Sequence, residues 1–440
     1  METIKYIDTG VNWLGKIPST WESKRIKMLT RVKRGASPRP IDNPIYFDEE
    51  GEFAWVRIAD VTASERYLEN TTQRLSELGS SLSVKRYPDD FFLSIAGTVG
   101  KPIITKIKCC IHDGFVYFPD LKINPEFLYY IFSTGLPYLG LGKLGTQLNL
   151  NTDTVGDIYI PIPDEKEIEK IVGYLDEKTF EIDSLISKKQ KLIECLIEEK
   201  QTIINQAVTK GIQPNFEMKK SGIEWFGSIP KHWNVKKLKY VKSDRPNSFV
   251  DGPFGSNLKS IHFVADGDVY VVESGFVTSG EFITKKFKTI TQDHFETIKR
   301  SACKEGDIVI SKIGANYGMS AILPLLDKEA VVSGNSLKLT VSDKYLNKFV
   351  HYCLLNLKRL GAFEVIVNST AQPALSLGLL NEIPIATPDI EEQIKIVEYI
   401  ENENSKIESL ILKVENEIEL IKEYRTSLIN EVVTGKITLN

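Results

Sequence analysis

The sequence predicts an α+β fold in which two α/β globular domains are separated by two long helices that form an antiparallel coiled coil. The first observation is a helical passage that starts at Asp164 and recurs 225 positions later, from Asp389. The second is a tryptophan-containing motif before each globular segment, and the third is a set of strand-like runs within each segment. Because a repeat of more than about 200 residues is a duplicated domain rather than a solenoid unit, we expect a pseudo-two-fold internal repeat.

Chain length and repeat positions together predict the domain boundaries. A chain of 440 residues is too long for one ordinary core and suggests two to four domains. We expect a globular domain over 1–160, a helix over 161–212, a second globular domain over 213–387 and a second helix over 388–440.

The net charge of −4 conceals an uneven distribution. Segment by segment, the two helices carry net charges of −3 and −6, whereas the globular segments carry 0 and +5. The acidic balance therefore does not exclude nucleic acid as a partner of the globular segments, and the acidic helices are better suited to protein contacts.

Neither a disulfide framework, a zinc site nor a membrane span is expected. The five cysteines are odd in number and lack CxxC spacing. No run of about 18 apolar residues occurs, and METIKYIDTG at the N-terminus lacks a signal-peptide pattern. We therefore expect a cytoplasmic protein with free thiols.

A motif with two tryptophans precedes each globular segment. Residues 10–27 match residues 221–239 at an offset of 212, against 225 for the helices, so the second globular segment is about 13 residues longer. A Gly-x-Ile-Pro turn lies between the tryptophans, and we interpret the motif as a packing corner rather than a ligand cage. The matched pairs are Trp13 with Trp225, Pro18 with Pro230, and Trp21 with Trp233.

Both globular segments alternate β-branched or aromatic runs with Gly, Pro, Asn and Asp turns, which is typical of strands. One helix is expected near the end of each segment, in PEFLYYIFSTG and in KYLNKFVHYCLLNLKRLG. The predicted strand regions are 53–61, 90–105 and 114–118 in the first segment and 268–277, 306–322 and 335–341 in the second.

The start of each long helix carries a capping signal, in which an aspartate is followed three residues later by Glu167 or Glu392. Apolar residues then recur every seven positions, with Lys189 interrupting the series where the second copy has Val414. Such a 3.5-residue period indicates a coiled coil. About 45 residues at about 1.5 Å each would make a rod of roughly 65 Å, and the duplication favours antiparallel pairing of the two copies.

Motifs that resemble catalytic loops lack the context that catalysis requires. A GxGxxG match at 140–145 is followed by TQLNLN rather than by a helix, and 97–101 lacks the spacing of a P-loop. The five histidines are scattered and show no HExxH pattern. We therefore expect no catalytic site, no cofactor site and no metal site in this chain.

The pattern resembles the DNA specificity subunit of type I restriction–modification systems. The resemblance rests on GxxWxGxIPxxW, which occurs twice, on the Ile-Pro junctions to the capped helices, and on the helix ends VTKGI and VTGKI. Residues 35–60 resemble the family's Gly-Thr-Pro opening with Ala36 and Ser37 as departures, and 251–260 resembles a second common opening.

This resemblance implies a non-catalytic subunit whose two target-recognition domains each recognise one half of a bipartite double-stranded DNA site. The helices would set the gap between the halves and dock two modification (methyltransferase) subunits, which restriction (endonuclease and translocase) subunits then join. S-adenosylmethionine, ATP and Mg²⁺ would belong to those partner subunits.

Sequence-specific recognition requires donors and acceptors that match base edges, such as Arg or Lys for guanine and Asn or Gln for adenine. Such side chains are expected on loops of a rigid scaffold. The candidate DNA-binding residues are Arg39, Arg57, Lys101, Lys143, Gln147 and Asn149 in the first segment and Asn257, Lys259, Lys312, Asn316, Tyr317 and Gln372 in the second.

Two other classes of function are compatible with parts of the sequence. A scaffold protein could use the coiled coil alone, although two divergent globular segments in a matched frame would then have no evident purpose. An enzyme with an unrecognised site would show activity as an isolated chain. Steeply salt-dependent binding to DNA would distinguish the DNA-binding subunit from both.

Overall fold

The computed structural model describes residues 5–141, 150–367 and 374–439, and the chain divides into two compact units. The first unit contains Met1–Gln190 and Glu415–Asn440, and the second contains Lys191–Val414. Each unit is a mixed α/β structure. Each also contains the start of one long helix and the end of the other, because these helices span Glu165–Lys210 and Ile390–Val433.

Within 5–141, 150–190 and 415–439, the first unit contains one sheet of five strands, one of four, and two strand pairs. In spatial order, the five strands are Lys33–Arg34, Phe115–Tyr117, Phe91–Ser94, Pro102–Thr105 and Tyr67–Leu68. The four are Gln73–Leu75, Phe53–Val56, Cys109–Ile111 and Val84–Arg86. The pairs join Tyr6–Asp8 to Lys16–Pro18 and Glu22–Arg25 to Tyr159–Ile162, and the shorter α-helices are Ile26–Leu29, Ile58–Ala63, Glu77–Ser81, Pro125–Ser133 and Thr152–Gly156.

The described part of the second unit, 191–367 and 374–414, contains two sheets of four strands and two strand pairs. In spatial order, one sheet has Phe249–Asp251, Ser336–Leu339, Ile308–Ser311 and Ser320–Ile322, and the other has Lys288–Ile290, Val269–Val272, Glu329–Val332 and Ala302–Cys303. The pairs join Met218–Lys220 to Ser228–Pro230 and Asn234–Lys237 to Pro384–Thr387, and the shorter α-helices are Gln292–Ile298, Asn347–Arg359, Ala362–Ile366 and Leu377–Glu382.

Each unit has its own central pair of parallel strands. In the first unit Phe53–Val56 runs parallel to Cys109–Ile111, and in the second Val269–Val272 runs parallel to Glu329–Val332. Almost every residue of these four strands is buried, as expected for parallel strands that are covered on both faces. The mixed α/β class and the duplicated arrangement predicted from the sequence are confirmed.

The strand predicted over 53–61 is too long. The strand ends at Val56, and Ile58–Ala63 is a helix that begins where the Arg57 N–H donates to Asp60 Oδ2 over 2.9 Å. The β-branched residues of this stretch favour a strand by propensity. The Asp60 carboxylate instead accepts an N–H at the helix start, and this local cap outweighs the propensity.

Both tryptophan motifs form packing corners, as the sequence predicted. Trp21 and Trp233 are buried in the main cores of their units. The end of the second long helix packs on the first corner, where Gly435 lies against Pro18 and Trp21. The end of the first long helix packs on the second corner, where Gly211 lies against Trp233.

At the start of each long helix the aspartate caps the backbone as predicted, but the glutamate three residues later does not bond back to the aspartate N–H. Asp164 Oδ1 accepts from the N–H of Glu167, and Asp389 Oδ1 accepts from the N–H of Glu392, each over 2.9 Å. The two glutamate side chains bind elsewhere: Glu167 accepts from Trp21 Nε1, and Glu392 pairs with His232. The glutamates therefore attach the helices to the tryptophan corners.

Within the first unit, the start of the first long helix lies beside the end of the second in antiparallel orientation. Arg425 donates to both carboxylate oxygens of Asp183 over 2.9 and 3.1 Å, and Lys189 pairs with Glu417 farther along. Lys189 is half-buried, whereas Val414, its match in the repeat, is buried. The apolar series of the two long helices therefore differs at this position, as the sequence indicated. A coiled coil over the whole length of both helices stays a prediction. None of the described helices has a segment both long and apolar enough to cross a membrane.

Candidate nucleic-acid interface

Three loops of the first unit meet at the edge that follows its parallel strands. These loops, 35–43, 95–101 and 112–114, are here called the first loop edge. Backbone hydrogen bonds hold them together: Ala36 N–H donates to Ile111 O over 3.1 Å, and Ile95 N–H donates to Gly114 O over 2.8 Å. Because parallel strands end at the same edge, Arg57, which follows the other central strand, lies there too.

The second unit has a corresponding second loop edge, formed by 252–262, 312–319 and 333–335. Gly252 N–H donates to Ser336 O over 2.9 Å, and Lys312 N–H donates to Asn335 O over 2.8 Å. The last bond matches the one from Ile95 to Gly114, so Lys312 stands where the first unit has Ile95. The same backbone therefore presents different side chains in the two units.

One glycine in each loop edge is required by close backbone contact. A Cβ on Gly35 would collide with the carbonyl oxygen of His112, and a Cβ on Gly252 would collide with that of Ser333. Both are glycines of the family-like openings in the sequence, and only glycine lets the opening loop approach so closely.

Hairpin tips of the same design complete both edges. In the tip 95–101, Gly100 N–H donates to Ser94 O, and in the tip 312–319, Gly318 N–H donates to Ser311 O, each over 2.8 Å. Both glycines have positive φ, +87° and +82°, which glycine adopts readily. Loops held this rigidly are suited to positioning side chains for recognition.

The described candidates of the first unit have unequal access to a ligand. The Arg39 side chain is 80% exposed and approaches Asp113 at 3.4 Å. Arg57 is half-buried, bonded to Thr72 Oγ1 and near Asp60, so it has less freedom.

Lys101 has a structural environment. Its ammonium donates to the Thr62 carbonyl over 3.1 Å and to the Ser64 carbonyl at the end of the helix Ile58–Ala63. Burial lowers the pKa of Lys101, while Glu65 acts in the opposite direction. A cation that is held by helix C-terminal carbonyls stabilises the helix end, so in this conformation Lys101 supports the hairpin tip rather than projecting from it.

Four candidates of the second unit lie on its loop edge, and a fifth lies beneath it. Asn257, Lys259 and Asn316 are exposed, and Lys312 Nζ donates to Asp251 Oδ2 over 3.4 Å. Tyr317 was expected to project toward a ligand, but it is buried, and the Lys358 ammonium lies 4.0 Å from its ring centroid. The adjacent Gly318 lets the Phe363 ring pack against the tip, which helps to bury this tyrosine.

Four candidates lie outside the described residues: Lys143, Gln147, Asn149 and Gln372.

Sequence reasoning missed the acidic residues around which the basic side chains gather. Asp113 accepts from Ser37 and Arg39, each over 3.4 Å, and Asp251 accepts from Arg300 over 2.9 Å as well as from Lys312. The signal available for Asp251 was its position directly before the required Gly252. Arg300 carried no signal, because 49 residues separate it from Asp251.

The carboxylates give each loop edge a definite arrangement of charge. Asp113 pairs with Arg39, and Asp251 pairs with Arg300 and Lys312, so each edge places cationic donors close to one carboxylate. Within 5–141, 150–367 and 374–439, no group of three His, Cys, Asp or Glu side chains is placed to hold a metal ion.

Comparison with protein families gives a match that spans most of the chain. The family described as "Type I restriction modification DNA specificity domain" matches residues 18–194 and 256–420.

Similar proteins carry related names. The chain is 24% identical over 442 residues to the type I restriction enzyme MjaVIII specificity subunit of Methanocaldococcus jannaschii, covering 96% of this chain and 94% of that protein. It is 20% identical over 363 residues to the EcoBI specificity subunit of Escherichia coli, covering 80% and 74% respectively. A solved structure concerning complex assembly and conformational transition of the type I R-M system aligns with a TM-score of 0.68 and 15% identity, over 96% of this chain and 99% of the other. That likeness concerns the fold.

Proposed function

The chain belongs to the family of type I restriction modification DNA specificity domains, and we propose that its two loop edges each recognise one half of a bipartite double-stranded DNA target. The chain acts as the DNA-recognition subunit of a type I restriction–modification complex. Because its proposed target is cellular DNA, we place it in the cytoplasm.

The observation that supports this function most strongly is the matched pair of loop edges. Two edges with the same glycine-dependent backbone carry different polar side chains, Arg39 in the first and Lys259, Lys312 and Asn316 in the second. A protein that recognises two different half-sites needs this combination of one framework and two sets of donors and acceptors. A scaffold protein would not.

We assign base or phosphate contacts first to the exposed candidates Arg39, Asn257, Lys259 and Asn316, and to Lys312 beside Asp251. Arg57 is a further candidate, and it would contact DNA once its hydrogen bond to Thr72 is released. Lys143, Gln147, Asn149 and Gln372 stay candidates by residue type alone.

Catalysis in this proposal belongs to partner subunits. Two modification subunits dock on the acidic helices and carry S-adenosylmethionine, and restriction subunits that use ATP and Mg²⁺ join them. The helices set the spacing between the half-sites. The chain itself is non-catalytic and holds no cofactor.

The test of this function is to co-express the chain with its modification partner and to map methylated adenines across a genome. A bipartite motif with two unequal half-sites would support the proposal, and a single continuous motif would contradict it. The isolated chain should bind duplex DNA weakly, with an affinity that falls steeply as salt rises. Salt-independent binding to proteins without any DNA binding would instead indicate a scaffold.

Substitutions at the loop edges test which edge recognises which half of the DNA target. We expect Arg39→Ala to relax the first half-site and Lys312→Ala to relax the second, because a good base contact contributes about 1–3 kcal/mol of discrimination. Discrimination at the affected position should fall by about 5-fold to 150-fold in the methylation assay.

Lys344→Ala is the control for these substitutions. Lys344 is exposed and follows the opposite end of strand Ser336–Leu339 from the second loop edge. Unchanged motifs in both loop-edge variants would contradict the assignments of Arg39 and Lys312.

A further inference from the structure

Arg66 joins the globular part of the first unit to the first long helix. Its guanidinium contacts Glu126, in the first turn of the helix Pro125–Ser133, and Asp176, in the long helix. Tyr130 strengthens the same junction, because its hydroxyl donates to Asp176 over 2.6 Å. One side chain thus connects a strand edge, a domain helix and the long helix.

The environment of Arg66 restricts the direction in which it points. Its side chain is only 15% exposed, and its guanidinium carbon lies 5.1, 5.1 and 4.9 Å from the ring centroids of Tyr67, Tyr129 and Tyr130. Tyr67 in turn donates to Glu126 over 2.9 Å. A planar guanidinium that has carboxylates on two elements and rings around it allows little rotation between those elements.

The matching junction of the second unit has a phenylalanine at the position of the bridging arginine, although Arg359 lines the cleft beside it. Aligning VTASERY (61–67) with VTSGEFI (277–283) places Phe282 at the position of Arg66, and its ring stacks on Phe276 at 5.5 Å. The residue 225 positions after Asp176 is Glu401, which pairs with Lys348, and both side chains are largely exposed. An Asn356–Asn205 hydrogen bond of 3.0 Å adds an uncharged contact. Among the described residues, a largely buried guanidinium that pairs with one carboxylate on the domain helix and another on the long helix therefore occurs in the first unit, whereas the second unit has the exposed Lys348–Glu401 pair.

Space for movement exists beside this junction. An open cleft of about 1160 Å³ is lined by Arg57, Arg66, Tyr129, Asp176 and Arg425, among others. Without the guanidinium, the apolar core that joins Phe127 and Ile131 to Ile171 and Leu175 of the long helix would remain, but the charged contacts that fix the angle beside the cleft would be lost. Buried ion pairs contribute little net stability but can select one geometry.

We propose that Arg66 is a positioning residue that fixes the angle of the first globular part on its helix and thereby restricts the spacer length between the two DNA half-sites. This rests on the proposed function, since a spacer exists only for a bipartite target. Arg66 does not lie on the loop edge, so it sets the distance between the half-sites and not their sequence.

The experiment uses the complex of the full chain with its modification subunits. The probes are duplexes that contain both half-sites mapped for the wild type, with the original spacer or with one base pair added or removed. Methylation of each duplex is measured for the wild type, Arg66→Met, Arg66→Lys and Asp176→Asn. The matched control is Lys348→Met, which removes the exposed ion pair of the second junction.

For Arg66→Met, we expect the ratio of methylation at the altered spacers to that at the original spacer to rise about tenfold, with both half-site sequences unchanged. Asp176→Asn should raise this ratio about threefold, and Arg66→Lys should recover part of the wild-type preference. Lys348→Met should leave the ratio unchanged.

An unchanged ratio in Arg66→Met, or an equal rise in Lys348→Met, would overturn the proposal, because a purely structural role lowers methylation at all spacers alike. If Arg66→Met does not fold, Asp176→Asn decides in the same way, since Asp176 is 47% exposed and its loss is milder. Failure of the proposed function is distinguishable, because the wild type would then show no bipartite motif at all.

Discussion

The two tryptophan corners have the same apolar packing but different hydrogen-bond partners. Trp21 Nε1 donates to Glu167 Oε2 over 2.7 Å. In the second corner the matching carboxylate, Glu392, pairs with His232 Nε2 at 2.8 Å, and Trp233 Nε1 has no partner among the residues that the structure describes. The apolar packing of the corner is therefore common to both copies. The hydrogen-bond partner of the helix glutamate differs, being a tryptophan in the first copy and a histidine in the second.

The loop edges and junctions show the same difference on a larger scale. The backbone N–H groups of Ile95 and Lys312 make equivalent hydrogen bonds in the two loop edges. The charged side chains differ, because basic residues pair with Asp113 in the first edge and with Asp251 in the second. Only backbone and core need to match for a common fold. Side chains at the surface can then specialise the two copies for different partners.

The largest expected effect comes from removing either corner. We expect Trp21→Ala and Trp233→Ala each to lower the free energy of unfolding of their unit by about 3–5 kcal/mol, because each removes a buried aromatic ring. Hydrogen exchange of peptides from each unit during urea unfolding measures the loss separately. Equal destabilisation of both units by one substitution would show that the corners are not independent.

Replacement by phenylalanine sharpens this contrast. Trp21→Phe removes the donor to Glu167, whereas Trp233→Phe removes no hydrogen bond within the described residues, so the first should cost roughly 1–2 kcal/mol more. A larger loss for Trp233→Phe would contradict the hydrogen-bond assignment.

Acid should affect the two domain helices differently. His351 lies in Asn347–Arg359, where Pro125–Ser133 of the first unit has Tyr129, and burial lowers the pKa of His351 to about 4 from its ordinary value of 6.5. The unfolded chain then takes up its proton at higher pH than the folded chain does. Stability therefore falls as the pH falls from about 6.5 toward 4.

The measurement compares wild type with His351→Gln at pH 7 and pH 5. The wild type should lose about 2 kcal/mol more than the variant over this interval, seen as faster hydrogen exchange in 347–359 after correction for intrinsic rates. Other titrating groups cancel in the comparison. Identical acid sensitivity of the two proteins would sink the assignment to His351.

The smallest expected effect concerns Lys189, whose match in the other copy is the buried Val414. Its pair with Glu417 is partly exposed, and such pairs contribute about 0–1 kcal/mol. Lys189→Val should therefore change the free energy of unfolding by less than about 1 kcal/mol, measured by urea unfolding, with Lys178→Ala on the same helix as a control. A loss above about 2 kcal/mol would show that the ion pair is required.

The frame of the fold could be predicted from the sequence because its signals are local or repeated. Both helix starts lie at Pro-Asp junctions, and the two tryptophan motifs align without gaps between Trp13 and Trp21 and their matches. The strand prediction failed beyond Val56, where one carboxylate, Asp60, capped a helix in a β-branched stretch.

The polar groups of the candidate site were less predictable because their partners are distant in sequence. Tyr317 resembles an exposed loop residue in the sequence, but in the structure it is buried, because the Phe363 ring packs against the adjacent Gly318. Arg66 and Asp176 are 110 positions apart, and Arg300 and Asp251 are 49 apart. A single sequence indicates which side chains could bind DNA, but their orientation depends on such tertiary contacts.

The composition of the first unit affects the order in which the protein can fold during synthesis. Residues 415–439 pack in this unit, where Tyr6 donates to Gly435 O over 3.0 Å and Val432 and Val433 complete the core. The second unit, Lys191–Val414, is continuous in the chain. The core of the first unit therefore cannot be completed until residues 415–439 have been synthesised, and until then its apolar surface is open to non-native contacts.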